Sequence, residues 1–304
     1  MMKLGLNSAI LPEYTFEQLI DYAAEVGFAC VEVCCWPRGR AQRRYAGVTH
    51  IDVDTLDDEK IAYIRDYCQK RSIEISALAY YPNTLDPNPE NRSMYIAHIR
   101  KLILAARRMG VATVNTFIGR VSHLTLEENL AIYKEVWTPI VALAQEQGVK
   151  IAIENCPMLF TQDEWPGGQN LAVSPAVWRR MFELIPSPSL GLNYDPSHMV
   201  WQQMDYIKPI YEFRDRIYHA HFKDIRVLKE KLDDAGILAA PLEYMVPKVP
   251  GLGDVDWGAY VSALNDIGYR GYACIEIEDK SYESSDADVR LAIRQSYRYL
   301  RQFL

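Results

Sequence analysis

The sequence has no long hydrophobic run and no excess of basic residues. No apolar stretch approaches the roughly 20 residues of a membrane-spanning helix. The 304 residues include 33 Lys and Arg against 40 Asp and Glu, a formal net charge of −7. Non-specific nucleic-acid binding relies on cationic contacts to phosphates, so an acidic chain is a poor candidate for it. A predicted strand begins at Lys3, so we expect no signal peptide. Together these observations lead us to expect a cytoplasmic location, with neither a membrane nor a nucleic acid as partner.

Two common motifs are also missing. Cys30, Cys34 and Cys35 show no CxxC spacing, and Cys274 lies in an apolar run. We therefore expect buried thiols rather than a disulfide framework or a metal cluster. The turn after the first predicted strand, residues 7–12, contains no glycine, whereas doubly wound sheets usually bind phosphate at a glycine-rich turn there. This absence argues against an open nucleotide-binding sheet.

What the sequence does contain is a repeat of helix, glycine and strand. Gly27, Gly110, Gly148 and Gly268 each follow an amphipathic run and precede an apolar residue and a strand-like run. Glycine in this position adopts the left-handed conformation that ends a helix. Strands that alternate with helices predict a parallel sheet.

Eight strands and eight helices are predicted. The strands lie near residues 3–7, 30–34, 73–79, 113–117, 150–154, 190–194, 217–222 and 271–277. The helices lie near residues 15–26, 57–71, 90–109, 125–147, 174–185, 205–213, 257–267 and 285–302. Eight such units predict an α/β fold with one (β/α)₈ TIM-barrel domain over residues 1–304, and a doubly wound open sheet is the alternative.

Four consecutive predicted strands end in a side chain that can bind a metal ion. Glu154 follows the apolar run 151–153, and later strands end at Asp195, His221 and Glu276. A carboxylate at the end of a core strand is costly to bury without a metal ion, a cation or a proton. Three carboxylates and one imidazole suit Mn²⁺, Mg²⁺ or Co²⁺, and Zn²⁺ is compatible as well.

Five segments resemble the metal-ligand motifs of the xylose-isomerase-like TIM-barrel superfamily: IAIENCP, NYDPSHMVWQ, HAHFKD, PGLGDVDW and CIEIED. The resemblance extends from Gly5 to Leu304. This superfamily includes sugar and sugar-phosphate isomerases, ketose 3-epimerases, hydroxypyruvate isomerase, inosose dehydratase and AP endonucleases. The resemblance implies one divalent metal ion and four ligands: Glu154, Asp195, His221 and Glu276.

The resemblance also implies substrate contacts. His198 and Lys223 match positions that face the substrate or surround the metal ion, and Arg226 lies near a position where some epimerases carry a substrate-binding arginine. The alternatives are a plain turn around His198 and a surface ion pair between Lys223 and Asp224. Trp36 and Trp165 lie on long loops after strands, where they would cover a substrate.

Two further positions allow two interpretations. Strand alternation puts His219 and His221 on one face. We expect His221 to be the ligand, because HxKD is the family form, and His219 to be a packed core histidine. Glu32, in the second strand, is either a partner of the site or a core carboxylate bonded to the backbone.

The predicted function is a metal-dependent isomerase or epimerase of a sugar, sugar phosphate or polyol-keto compound. A metal ion would stabilise an enediolate, and Glu154 and Glu276 would exchange the proton next to the carbonyl. The alternatives are a lyase of the inosose dehydratase type, an AP endonuclease-like repair enzyme and a non-catalytic binding barrel. The repair enzyme is disfavoured because the chain has only 6 histidines and a net charge of −7. The sequence leaves open which sugar is used, whether it is phosphorylated and whether the chain forms a homo-oligomer.

Overall fold

The structure, a computed structural model, describes residues 1–38, 46–164 and 167–304. Eight parallel strands close into a barrel in the order β1-β10-β7-β6-β5-β4-β3-β2, which confirms the predicted TIM barrel and excludes the open sheet. The barrel strands are β1 (Lys3–Asn7), β2 (Cys30–Cys34), β3 (Glu74–Ala79), β4 (Thr113–Thr116), β5 (Lys150–Glu154), β6 (Leu190–Tyr194), β7 (Ile217–Phe222) and β10 (Tyr272–Ile275). Two further strands, β8 (Asp224–Val227) and β9 (Met245–Lys248), form an antiparallel hairpin outside the barrel.

Helices surround the barrel where the sequence predicts them. The long ones are α1 (Phe16–Val26), α2 (Asp58–Lys70), α3 (Pro89–Met109), α4 (Leu126–Gln147), α5 (Pro175–Leu184), α10 (Trp257–Asp266) and α11 (Asp286–Leu300). Short helices are α6 (Ser197–Val200), α7 (Lys208–Glu212), α8 (Lys229–Ala235) and α9 (Pro241–Tyr244). Within the described ranges, no helix is long and apolar enough to span a bilayer.

The helix boundaries follow from local signals. Thr15 caps α1 and Thr125 caps α4, and in both cases a capping box forms, with Gln18 and Glu128 as the second residue. Gly27, Gly110 and Gly148 end their helices with φ values of 101°, 75° and 67°. These left-handed ends reverse the chain directly into the next strand, so each predicted unit keeps its register in the barrel.

The segment 223–256, which lies between the predicted strand 217–222 and the predicted helix 257–267, has secondary structure of its own. It contains the hairpin β8–β9 and helices α8 and α9. The buried carboxylate of Asp224 holds the end of this segment: Oδ2 accepts from the backbone of Gly251 at 2.9 Å and Gly253 at 3.2 Å. Trp257 Nε1 donates to the same oxygen at 3.0 Å. Asp224 is therefore an internal anchor, and the surface ion pair with Lys223 considered from the sequence does not form.

Candidate active site

The four predicted ligands come from four neighbouring strands of the barrel. Glu154 is the last residue of β5, Asp195 follows β6, His221 lies in β7, and Glu276 follows β10. These strands are adjacent in the barrel, so their carboxyl ends bring the side chains together. The potential ligand atoms of the four residues lie within 4.8 Å of one another, and all four residues are buried. The strand β10 ends at Ile275, before the end predicted near residue 277, so Glu276 lies just beyond it, but the Glu276 N–H still donates to Phe222 O at 3.2 Å.

His221 presents one ring nitrogen to this group and the other to a supporting carboxylate. Its Nδ1 lies 3.0 Å from Glu276 Oε2 and 3.6 Å from Glu154 Oε1. Its Nε2 lies 2.8 Å from Glu32 Oε2. A proton on Nε2 that donates to Glu32 leaves the Nδ1 lone pair directed at the other carboxylates, the arrangement seen in carboxylate–histidine–metal triads.

Glu32 itself is held by Tyr81. The Tyr81 hydroxyl donates to Glu32 Oε1 at 2.5 Å, and Glu32 is fully buried. The sequence allowed Glu32 to be either a partner of the site or a core carboxylate bonded to the backbone. Its contact with His221 supports the first interpretation. Tyr81 was missed by sequence reasoning, because β3 and β2 are paired only in the folded barrel.

Hydrogen-bond accounting tests whether the four residues fit a metal ion. Among the described residues, Asp195 Oδ2, His221 Nδ1 and Glu276 Oε2 have no hydrogen-bond partner, although each atom is buried. Buried polar atoms nearly always have a partner, so three such atoms in one group are what a metal-binding set of side chains would offer. Three carboxylates and an imidazole with a free lone pair are a suitable donor set for a divalent ion. The residues present therefore fit the metal that the sequence predicts.

Electrostatics keep two of the carboxylates ionised. Burial alone would raise the pKa of Glu154, but the neighbouring His221 outweighs it, so the pKa falls to about 2. Burial opposes ionisation of Glu276 in the same way, and Lys223 and His221 lower its pKa well below the usual range. At Asp195 burial dominates and raises the pKa. The group thus contains two carboxylates that are held ionised and a third, Asp195, whose ionised form is disfavoured by burial.

Asn155 and Asn170 position the strand ends. The side chain of Asn155 donates to Asp195 O at 2.9 Å and accepts from Asp195 N at 2.8 Å. Asn170 Nδ2 donates to Glu154 O at 2.9 Å and Cys156 O at 2.7 Å. Sequence reasoning assigned neither asparagine a role. The sequence does contain a signal for Asn155, because it lies between Glu154 and Cys156. If those two side chains point to the cavity, Asn155 must point the other way, towards the neighbouring strand.

Two residues of the group, Glu154 and Glu276, line a cavity of about 330 Å³. Further charged residues, including Lys223 and Glu278, line it as well. The rest of the lining is largely apolar and includes Trp36, Phe117, Met158, Phe160 and Pro247. Trp36 packs edge-on against Tyr80, with ring centroids 4.8 Å apart, so it is positioned as a wall of the cavity. This shape suits a small, partly polar molecule.

His198 and Lys223 are predicted substrate contacts that the fold brings to the four-residue group. His198 Nε2 lies 3.4 Å from Glu154 Oε1 and 3.3 Å from Asp195 Oδ2. Lys223 Nζ lies 3.1 Å from Glu276 Oε1 and 3.0 Å from Glu278 Oε2. Burial opposes the charge on Lys223, but these two carboxylates raise its pKa well above the usual range, so it remains cationic.

Arg226, another predicted substrate contact, is not part of this cluster. Arg226 is exposed on the hairpin, where its guanidinium donates to Leu252 O at 2.6 Å, and it is not among the described residues that line the cavity. Arg226 belongs to the hairpin β8–β9 outside the barrel, and its hydrogen bond to Leu252 O holds its guanidinium at the surface. Trp165 lies outside the described residues.

Comparisons with known proteins agree with this architecture. The chain is 25% identical over 315 residues to the uncharacterized protein YfiH of Bacillus subtilis, covering 96% of this chain and 97% of the relative. It is 25% identical over 277 residues to an inosose dehydratase of Clostridium perfringens, covering 88% of this chain and 83% of the relative.

Solved structures share the barrel at lower identity. The IOLI protein with a binding zinc atom superposes with a TM-score of 0.73 at 17% identity, covering 100% of this chain and 99% of that chain. D-psicose 3-epimerase with D-tagatose from Clostridium cellulolyticum gives 0.72 at 16% identity, with the same coverage of 100% and 99%. A sequence profile of the xylose isomerase-like TIM barrel matches residues 20–303. The chain therefore belongs to the xylose isomerase-like TIM barrel family.

Proposed function

We propose that this chain is a divalent-metal-dependent isomerase or epimerase of a sugar or polyol-keto compound, which acts by proton transfer next to a carbonyl. The observation that carries the proposal is the dual placement of Glu154 and Glu276. Both belong to the four-residue ligand group, and both line the cavity. Acid–base chemistry and metal binding would therefore take place at one surface of the substrate.

The ligands of the ion would be Glu154, Asp195, His221 and Glu276. A divalent ion bound there supplies Lewis-acid polarisation of a carbonyl and an adjacent hydroxyl, which makes the neighbouring C–H more acidic. Because their pKa values are low, Glu154 and Glu276 are ionised at neutral pH and can accept that proton. Two carboxylates on opposite sides of one carbon would allow its configuration to be inverted.

Lys223 and His198 would assist without taking the proton. The contact of Lys223 Nζ with Glu276 Oε1 holds that carboxylate in one orientation. His198 is buried beside Glu154 and Asp195, where its ring can contact a substrate hydroxyl. The apolar wall that includes Phe117 and Phe160 would exclude water from the reacting carbon.

Proton exchange in D₂O tests the proposal. Free and phosphorylated ketoses would be incubated with the Mn²⁺-loaded protein, and deuterium at the inverted carbon would be measured by NMR. We expect incorporation, because a carboxylate that removes a proton exchanges it with solvent before returning one. A product that forms without deuterium would contradict the proton-transfer mechanism and favour a hydride shift.

A second candidate, a lyase of the dehydratase type, is favoured by the 25% identity to inosose dehydratase over 88% of this chain. It would use the same proton removal but would then expel a hydroxyl group. Mass spectrometry separates the two candidates in the same reactions. An isomerase or epimerase leaves the substrate mass unchanged, whereas a dehydratase product is lighter by one water molecule.

A further inference from the structure

The lining of the cavity differs between the two halves of the barrel. The charged lining residues at strand ends belong to β5, β7 and β10, and they are Glu154, Lys223, Glu276 and Glu278. On the other side, the ends of β1, β2 and β4 contribute Ala9, Cys34 and Phe117. These three belong to one apolar cluster, against which Trp36, Met158 and Phe160 pack. We call these six residues the apolar half.

We propose that the apolar half binds an apolar substituent of the substrate. The substrate is then an uncharged sugar or polyol-keto compound that carries an alkyl or aryl group, and not a sugar phosphate. This inference rests on the proposed function and names the substrate class of the same site. It is carried by the bonding of nearby polar atoms, by the charge of the lining and by the extent of the apolar surface.

Polar atoms beside the apolar half are already engaged within the protein. Asn7 Oδ1 accepts from Ala9 N at 3.0 Å, and the Tyr81 hydroxyl donates to Glu32 Oε1 at 2.5 Å. Burial raises the pKa of the Cys34 thiol to about 12, so this thiol is uncharged at neutral pH. A substrate hydroxyl placed on this side would leave water without gaining equivalent hydrogen bonds, which is unfavourable. A group without hydroxyls instead gains free energy by leaving water.

The charged part of the lining is not suited to a phosphate. Among the described residues it contains four carboxylates and two amines: Glu154, Glu164, Glu276, Glu278, Lys223 and Lys280. A divalent ion at the four-residue group would balance this difference without leaving an excess of positive charge. Lys223 Nζ is also already paired, at 3.1 Å from Glu276 and 3.0 Å from Glu278. A phosphate group, with a charge of about −1.5 to −2 at neutral pH, would therefore meet no surplus cation.

The apolar lining continues to the mouth of the cavity. Leu242 of α9 and Pro247 of β9 line the cavity, and Leu242 is 46% exposed. A wall that served only to keep water from the reacting carbon would lie deep in the cavity, next to that carbon. The volume of about 330 Å³ is in the range of pockets that hold drug-sized ligands, so a sugar with a substituent has room. The cavity is thus lined for an amphipathic molecule.

Calorimetric titration of the Mn²⁺-loaded, full-length protein tests the subsite. The probes are D-fructose and D-tagatose, each as the free sugar, as its benzyl ether at carbon 1 or at carbon 6, and as its 6-phosphate. We expect one benzyl ether of a given sugar to bind about 10- to 100-fold more tightly than the free sugar. The phosphate should bind no more tightly than the free sugar. Turnover of the same compounds would be followed by NMR.

Variants assign the preference to the apolar lining. Leu242→Gln and Phe160→Gln should each lower the ratio of the affinities for benzyl ether and free sugar by about 3- to 10-fold. Leu252→Gln is the matched control, because Leu252 is 44% exposed on the same segment 223–256 but is not among the described residues that line the cavity. It should keep the native ratio. Circular dichroism and the melting temperature would verify that each variant is folded.

Three results would overturn the subsite. These are equal affinities for the benzyl ethers and the free sugars, a phosphate that binds more tightly than either benzyl ether, and a ratio that Leu242→Gln and Phe160→Gln leave unchanged. Turnover of a free sugar together with any of these results would leave the proposed reaction intact. A preference for a benzyl ether without turnover of any probe would instead retain the subsite and count against the reaction. Absence of binding by every probe would overturn both.

Discussion

Two histidines on one strand show how differently the barrel interior treats similar side chains. His219 and His221 are both fully buried and lie two residues apart on β7. His219 has partners at both ring nitrogens: Nδ1 lies 3.0 Å from Asn193 Oδ1, and Nε2 lies 3.1 Å from Ser76 Oγ. His221 has Glu32 at Nε2, but its Nδ1 makes no hydrogen bond to any described residue. We call Ser76, Asn193 and His219 the closed layer, and Glu154, Asp195, His221 and Glu276 the open layer.

Both layers are buried, and they differ in how many of their polar atoms have a hydrogen-bond partner. In the closed layer, polar groups satisfy one another through hydrogen bonds, so the layer stabilises the barrel without a ligand. In the open layer, like charges lie close together and several atoms of the described residues lack partners, so we expect a bound cation to stabilise it. Four predictions test this comparison.

The largest effect is expected for Glu276→Gln. The amide keeps an oxygen in the open layer but removes a proton acceptor, so kcat should fall by a factor of about 10² to 10⁴, far more than the affinity for Mn²⁺. Steady-state kinetics with the substrate identified in D₂O would measure this loss. Glu278→Gln is the control, because Glu278 also contacts Lys223 at 3.0 Å but is not in the ligand group. Equal losses in both variants would contradict a direct role for Glu276.

Glu32→Gln should weaken metal binding. Glu32 accepts a hydrogen bond from His221 Nε2. Loss of this bond frees the imidazole ring to rotate and makes the lone pair on Nδ1 a weaker metal ligand. Removing such a supporting carboxylate typically lowers metal affinity by about 10- to 100-fold. Competition with a fluorescent chelator would measure the affinity, and Tyr81→Phe, which leaves the contact between Glu32 and His221 in place, should have a smaller effect. Native affinity in Glu32→Gln would show that the open layer does not depend on this contact.

His219→Leu should affect stability rather than metal binding. The change removes the imidazole partner of the buried Asn193 Oδ1 and Ser76 Oγ, so the free energy of unfolding should fall by about 1 to 3 kcal/mol. Urea denaturation of the metal-free protein would measure it. The affinity for Mn²⁺ should decrease less than in Glu32→Gln. A larger loss of affinity would mean that the two layers are not separable.

The smallest effect, of opposite sign, is expected for Asp195→Asn in the metal-free protein. Burial raises the pKa of Asp195, so the folded state disfavours its ionised form relative to the unfolded state. Asparagine removes that charge and can still accept the Ser197 N–H bond, which is 2.8 Å long. The free energy of unfolding should rise by about 0.5 to 1 kcal/mol without metal. With saturating Mn²⁺ the order should reverse, and denaturation under both conditions would reveal it.

Much of the barrel follows from local signals in the sequence. Apolar runs, capping boxes and left-handed glycines each act within a few residues, so they predict the eight strands and the long helices. The same signals missed the hairpin β8–β9, because four-residue strands are too short to show a period. Its pairing joins Asp224 to Lys248, and only the folded chain brings these residues together.

The sequence by itself determined which residues stand at the ends of the strands: Glu154, Asp195, His221 and Glu276. It did so because strand ends are set by nearby apolar and polar residues. Tertiary structure alone decided which of their atoms have partners. Glu32, the partner of His221, is 189 residues away along the chain. Hydrogen bonds between barrel strands depend on closure and register, so the contrast between a satisfied His219 and an open His221 exists only in the fold.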